Sequence, residues 1–389
     1  MAAFDQMRLI VMEALKPWEE KHHARLENVE CTDPQLCGHE FKYDSAGQYL
    51  TGVYPYQISY LTEAGSRRTL EVMVKAKPDQ VQIISVYQSL LDAGGIDLSV
   101  PLKVNLERSD YAVPNLKELG LFRDFSDRLQ PYLPKSMGFF VNASNSYTLR
   151  IEKKLSQGSV ILNPDDDTTN HWKNGFFDLA LMGMADLHSR FFEKYQPLVD
   201  TRSIFVCDRQ SMVQGEPLWR ALLHFIAEHF QDEVTEERLG RHREILDHLA
   251  DWFAEVDQQP KTLLYGDFNP QNLAFEKTEN GFELSLFDWE RALIGLPQRD
   301  LAEHLIYSLP VGFDEEQVLA AVTRYREALS DGSGETIAPE EFNLGLKWML
   351  YDLILNRLPL MMLVKHVANK RPHSNQAYAN AHRLVSILE

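Results

Sequence analysis

Apolar positions recur along this chain with two different periods, and the change of period divides it. Between Tyr43 and Val74 they alternate. Gln57-Ile58-Ser59-Tyr60-Leu61 and Thr69-Leu70-Glu71-Val72-Met73-Val74 flank Glu63-Ala64-Gly65-Ser66, which predicts two strands joined by a turn. Gly138–Val141 and Tyr147–Ile151 read as two further strands. Helical spacing appears in Met7–Trp18, Val81–Leu91 and Asn115–Leu129, the last with Leu116, Leu119, Phe122 and Leu129 on one stripe. Residues 1–151 therefore predict a β-rich lobe carrying at least one long helix.

Ile151-Glu152-Lys153-Lys154-Leu155-Ser156-Gln157-Gly158 ends that pattern and reads as a linker. Helical periods then dominate: Phe176–Phe192 as a buried helix, Leu218–Phe230 and Glu237–Val256 as a pair. Asp300–Leu309, Glu315–Leu329 and Pro339–His366 follow, with Pro359 expected to break or kink the last. Three short strands interrupt them, Thr262–Leu264, Asn272–Phe275 and Phe282–Phe287, with Asn280-Gly281 as a hairpin turn. The expected organisation is α+β with two lobes: residues 1–151, a hinge at 152–156, and a helical lobe at 157–389.

Charge narrows the partners. The formal net charge is -18, and nearly all of it falls after residue 156. An acidic second half disfavours nucleic acid and anionic membranes. It suits a neutral or cationic small molecule, or is simply a solvated acidic surface. Cys31, Cys37 and Cys207 lack metal-ligand spacing and are too few for a disulfide framework. No apolar run approaches the length of a membrane span, and Met1–Ile10 does not read as a secretory signal. A cytoplasmic location is expected.

The densest chemistry lies in Leu264-Tyr265-Gly266-Asp267-Phe268-Asn269-Pro270-Gln271-Asn272 and Leu286-Phe287-Asp288-Trp289-Glu290. An Asp, an Asn and a second Asp are the three groups that kinase-type phosphoryl transfer requires. One carboxylate takes the proton of the attacking hydroxyl. An amide oxygen and another carboxylate hold Mg²⁺ on the ATP phosphates.

The order of β-rich lobe, linker, helical lobe, loop and hairpin resembles the aminoglycoside phosphotransferase / choline kinase-like family, the small-molecule branch of the protein-kinase-like fold. That family carries a His-Gly-Asp-x-x-x-x-Asn loop and a downstream Asp-Trp or Asp-Phe. Here the loop reads Tyr265-Gly266-Asp267 through Asn272, followed by Asp288-Trp289. The resemblance implies Asp267 as catalytic base, Asn272 and Asp288 as Mg²⁺ ligands, and ATP bound between the lobes. Tyr265 replaces the motif's His as a residue packed under the loop.

The same resemblance implies a phosphate-binding Lys at Lys75, in Val72-Met73-Val74-Lys75, with Lys77 as its rival on the same strand face. Its pairing carboxylate would be Glu118, or Glu118 is an ordinary surface helix charge. Backbone groups of Ile151–Leu155, including Glu152, would hold adenine, and Leu273 would pack under the ring or simply fill the core. Tyr43–Gly52 is the candidate phosphate-covering loop. Asp300 reads best as a helix N-cap, with a secondary role in fixing the catalytic loop.

Other chemistries lack anchors. The histidines show no His-Glu-x-x-His spacing, and His188 reads as a core residue. No Gly-x-Ser-x-Gly elbow occurs. Only eleven residues separate Asp288 from Asp300, too few for a peptide-docking activation segment. The expected activity is transfer of the γ-phosphate of Mg-ATP to a small-molecule alcohol. The alternatives are an inactive kinase-like scaffold and a nucleotidyl transferase. For the acceptor, Glu290, Glu303, His304, Trp348, Tyr351 and Arg357 are candidates. The acidic half fits an amine-bearing alcohol, whereas Arg357, Lys365, His366, Lys370 and Arg371 fit a carboxylate- or phosphate-bearing one.

Overall fold

The computed structural model describes residues 2–34, 49–77, 80–97, 114–142, 147–162, 175–200, 204–310, 312–370 and 373–389. They form two compact units. The first takes Met1–Ser85, Val113–Ser159 and Glu276–Glu290; the second takes Val86–Ala112, Val160–Phe275 and Arg291–Glu389. The second half of the sequence thus lends the short segment after the catalytic loop to the first unit, which a single cut at residues 152–156 did not anticipate.

The first unit is built on a five-stranded antiparallel sheet, β1 (Arg25–Cys31), β2 (Gly52–Leu61), β3 (Arg67–Lys77), β4 (Ser136–Val141) and β5 (Thr148–Lys153), in the order β1-β2-β3-β5-β4. Alternation sets its two faces. Val72, Val74 and Ala76 of β3 and Tyr54, Tyr56 and Ile58 of β2 point into the core, all nearly or fully buried. Helix α1 (Ala2–Ala14) covers that face with Met7, Ile10, Val11 and Ala14, a helical stripe. Each large apolar side chain buried this way contributes about 1.5–3 kcal/mol. Gly138 lets the end of α1 approach β4, because a Cβ there would meet the Ala14 carbonyl at 2.1 Å.

Met7–Trp18 is not one helix: α1 stops at Ala14 and α2 (Lys16–His22) follows, with Pro17 in its first turn. After α3 (Gln80–Ala93), the expected helix Asn115–Leu129 is also divided. It forms α4 (Pro114–Asp124) and α5 (Ser126–Leu129), with non-helical Phe125 between them. Strand β1 went unread because its burial pattern leaves only Val29 fully inside.

After Val86–Ala112 the second unit continues at β6 (Val160–Ile161) and is mostly helical. Its first part comprises α6 (Phe176–Phe191), α7 (Gln196–Asp200), α8 (Arg209–Gln214), α9 (Glu216–His229), α10 (Glu236–Asp247) and α11 (Leu249–Val256). Strand β7 (Thr262–Leu264), a 3-10 turn at Pro270–Asn272 and β8 (Leu273–Thr278) frame the loop that carries Asp267. Strand β9 (Gly281–Leu286) lies in the first unit. The second resumes with β10 (Leu293–Gly295), paired antiparallel to β7.

Helices α12 (Gln298–Ser308), α13 (Glu315–Ser333), α14 (Pro339–Leu355), α15 (Arg357–Ala368) and α16 (Ser374–Leu388) complete it. The break expected at Pro359 falls instead at Asn356, so that Pro359 sits in the first turn of α15. There its missing N–H costs no helical hydrogen bond. Among the described residues no helix is long and apolar enough to cross a membrane. The protein is α+β, as its sequence predicts.

Candidate functional site

In the first unit, β3 carries Lys75 and Lys77 on one face, and β5 carries Arg150 and Glu152 beside them, with Lys75 in register with Arg150. Lys77 Nζ lies 3.0 Å from Glu118 Oε2 on α4 and 3.3 Å from Asp288 Oδ1. Lys75 Nζ lies 3.3 Å from Glu152 Oε2 and 3.8 Å from Asp288 Oδ1. Arg150 joins the two carboxylates, reaching Glu118 Oε1 at 3.1 Å and pairing with Glu152. Three cations and three carboxylates therefore alternate in a closed ring, and Glu290 adds a contact to Lys77 at 2.7 Å. All but Asp288 and Glu290 are nearly buried, where an unpaired charge would be costly.

The ring fixes protonation. Burial acts against the charge on Asp288, but Lys77, Lys75 and Arg150 outweigh it and hold the carboxyl well below the usual range. Burial likewise opposes ionisation of Glu118, and Arg150 and Lys77 again prevail. Lys77 is pulled down by burial and raised further by Glu118, Glu290 and Asp288, ending well above an ordinary lysine.

Asp288 itself has φ +56°, a left-handed conformation uncommon for a residue with a side chain. The following N–H, of Trp289, donates to Glu118 Oε1 at 3.0 Å. One buried carboxylate thus serves Lys77, Arg150 and the turn that presents Asp288.

Glu152 is not a hinge residue. It lies within β5 opposite Met73, with its carboxylate turned to Lys75 and Arg150. The Lys153 N–H donates to Lys135 O and the Lys154 N–H to Glu71 O, so both amides are already engaged within the unit. The sequence assignment missed Arg150. The signal was present: Thr148-Leu149-Arg150-Ile151-Glu152 alternates, with its charges on one face. Of the candidate phosphate-covering loop, residues 43–48 lie outside the described residues.

In the second unit, the candidate catalytic loop follows β7. Gly266 has φ +80°, and a Cβ would come 2.3 Å from the Arg291 carbonyl, so only glycine fits. Asp267 is held from three directions. Asn269 Nδ2 donates to Oδ1 at 2.7 Å, Asn272 Nδ2 donates to Oδ2 at 2.8 Å, and Arg357 at the start of α15 donates to Oδ1. Leu273 is fully buried, and so is Tyr265, which meets Phe268 edge-on.

Asp300 is not an N-cap. It lies inside the first turn of α12 behind Pro297, and its carboxylate accepts the N–H of Tyr265 at 2.7 Å and of Gly266 at 2.9 Å. His188 Nε2 lies 3.1 Å from the same carboxylate, and His188 Nδ1 meets the Tyr325 hydroxyl. The cap reading failed because helix-start statistics do not see a backbone segment arriving from thirty-five residues earlier.

One turn further along α12, Glu303 Oε2 accepts the Phe268 N–H at 3.1 Å, and its Oε1 lies 3.3 Å from Arg357 Nε. Burial, and after it the Asp267 charge, pushes the Glu303 carboxyl up to about 8, against the pull of Arg299 and Arg291. Arg299 in turn pairs with Asp352 at 3.0 Å. Of the other acceptor candidates, Trp348 and His304 are buried, the latter stacked on Phe177.

Among the described residues no group of three or more His, Cys, Asp or Glu side chains is arranged to hold a metal ion. Mg²⁺ makes no such demand, since it takes one or two carboxylates and completes its octahedron with water and phosphate oxygens. In the first unit Asp288, ionised and half-exposed, and in the second the Asn272 carbonyl oxygen, left over when Nδ2 turns to Asp267, are each an oxygen donor of the kind Mg²⁺ takes.

No curated protein matches the chain. Solved structures similar to it include choline kinase LicA from Streptococcus pneumoniae, at 13% identity over 98% of this chain and 99% of that one, with a TM-score of 0.41. The GDP complex of aminoglycoside 2'-phosphotransferase-IIIa is 9% identical over 97% and 98% of the two chains, with a TM-score of 0.45. Amicoumacin kinase hAmiN, in complex with AMP-PNP, Ca²⁺ and Ami, is 12% identical over 92% and 90%, with a TM-score of 0.44. Residues 208–335, which contain the whole catalytic loop, Asp288 and Asp300, match the model of the phosphotransferase enzyme family, the family that the loop motif resembles.

Proposed function

We propose that this protein is a cytoplasmic phosphotransferase that moves the γ-phosphate of Mg-ATP to a hydroxyl of a small molecule. The observation that carries this reading is the setting of Asp267. Its carboxylate is oriented by Asn269 and Asn272, on a loop whose backbone is fixed by Asp300 and Glu303. Such preorganisation is what a general base needs, because geometry comes before pKa.

Asp267 takes the acceptor O–H proton as that oxygen forms its bond to the γ-phosphorus. The bond from phosphorus to the bridging oxygen breaks, and ADP leaves with that electron pair. Lys77 and Lys75 would meet phosphate oxygens with their ammonium groups, and Asn272 and Asp288 would hold the metal. Mg²⁺ supplies charge neutralisation on the phosphate oxygens when bound. Leu273 would pack under the adenine ring.

The second reading, an inactive scaffold, draws on Arg357. With that guanidinium on Oδ1, each Asp267 oxygen already has a donor. Turnover separates the two. The protein is incubated with Mg-ATP and pooled alcohols, products are weighed, and Asp267→Asn runs alongside. A phosphate-sized gain that the variant loses supports transfer. ATP binding without any transfer supports the scaffold, and an AMP-sized gain supports nucleotidyl transfer.

A further inference from the structure

Arg357 is the residue at this site that general-base chemistry does not need. It opens α15 straight after the helix break at Asn356, nearly buried, with Asp267 on one side and Glu303 on the other. For Asp267 Oδ1 to accept an acceptor hydroxyl, this guanidinium must give way. A buried guanidinium released from its carboxylate must find another anion.

Glu303 does not serve. Its Oε1 and the Arg357 Nε lie 3.3 Å apart, yet neither has a hydrogen-bond partner among the described residues. Its carboxyl, pushed up to about 8, also keeps its proton at neutral pH. Among the described residues, the neighbouring carboxylates of Asp300 and Asp352 are engaged. Asp300 holds two backbone amides and His188, and Asp352 holds Arg299.

These contacts also bear on the acceptor's charge. Among the described residues, the carboxyl groups of Asp267 and Glu303 both face Arg357, an arrangement that favours an anionic group over an ammonium beside Asp267.

We propose that Arg357 reads an anionic oxygen group, carboxylate or phosphate, on the acceptor, and that this group draws the guanidinium off Asp267 as the hydroxyl arrives. Acceptor binding and release of the base are then one event, and Arg357 is a specificity-determining residue. This inference rests on the function proposed above.

The test uses the full chain with Mg-ATP and four acceptor pools: carboxylate-bearing alcohols, phosphate-bearing alcohols, amine-bearing alcohols and neutral polyols. The expected result is product from one of the two anionic pools, which also tells carboxylate from phosphate. For the acceptor so found, Arg357→Gln should raise its KM at least tenfold. Arg357→Lys should raise it less, and the KM for ATP should stay within twofold in both.

Product from the amine or neutral pool with none from the anionic pools overturns the inference while leaving the phosphotransferase reading intact. So does an Arg357→Gln protein that loses kcat at unchanged acceptor KM, since that places the guanidinium on the transferring phosphoryl group. No transfer from any pool overturns both. The pool comparison needs only the unmodified protein, so a variant that fails to fold does not remove the test.

Discussion

Lys77 and Glu118 face each other across 3.0 Å, both buried, and Lys77 is the only one of the two β3 lysines with a described ion pair to that helix carboxylate. The other, Lys75, is matched to Glu152 on the neighbouring strand and lies over the Phe287 ring at 4.9 Å. We therefore expect Lys77, the rival of the sequence assignment, to be the phosphate lysine. Lys77→Met is expected to weaken ATP and ADP binding at least tenfold and AMP binding less than twofold, read by calorimetric titration. Lys75→Met should weaken ATP less than Lys77→Met does, and the reverse order would return the role to Lys75.

Removing Glu118 takes a carboxylate partner from two buried cations at once, Lys77 and Arg150, and opens the ring. Glu118→Ala should therefore lower the unfolding free energy by about 3–5 kcal/mol, the range for breaking a buried pair. Urea denaturation at neutral pH checks it. A loss below about 1 kcal/mol, the range for exposed pairs, would mean the ring is open to water.

Asp267→Asn should lower kcat by about 10²–10⁴-fold, the range for a positioned general base, with the nucleotide Kd within about twofold of the parent. Comparable losses in binding and turnover would instead make Asp267 a structural residue of the loop.

Gly266→Ala combines a Cβ placed 2.3 Å from the Arg291 carbonyl with a positive φ. Overpacking costs about 1–3 kcal/mol and the left-handed backbone about 1–2 more, so a fall of about 2–5 kcal/mol in stability is expected. A melting curve superimposed on the parent's would show that β10 and the loop can separate freely.

His242 bears on pH. It is fully buried against the Tyr378 hydroxyl, and burial, with Arg243 adding to it, lowers its pKa to about 3. The unfolded chain binds that proton near 6.5 and the folded one does not. The stability it contributes is present above pH 6.5 and is lost as pH falls from there toward 3. At pH 5 the loss is about 2 kcal/mol. Glu303 has the opposite sign, since its raised pKa costs stability as pH rises from about 4.5 to 8. The two are separated by comparing the parent with His242→Gln at pH 7 and pH 5. The variant should lose about 2 kcal/mol less over that interval, and equal losses would place the acid sensitivity elsewhere.

Much of the candidate site could be read from residue order alone because it is local. Asp267 and Asn272 share one loop, and the strand alternation that brings Lys75 and Lys77 to one face is a property of β3 itself. What escaped was non-local. Arg150 meets Glu118 only after β5 has paired with β3. Arg357 meets Asp267 from ninety residues away. Asp300 looked like a cap because its sequence neighbours are a helix start, whereas its partners are amides of a different segment. Helix ends were misplaced for a related reason. Phe125 and Asn356 carry no Gly or Pro signature, and packing decides where those helices break.

The loop is gripped by its main chain, through the N–H groups of residues 265, 266 and 268. Every residue except proline carries that group. At position 265 the grip therefore uses the N–H alone, which excludes only proline. A histidine, a tyrosine or a phenylalanine there leaves the grip on the loop untouched. A motif that begins with His passes over this chain, whereas the carboxylates in the first and second turns of the following helix, at 300 and 303, are the groups that hold its loop.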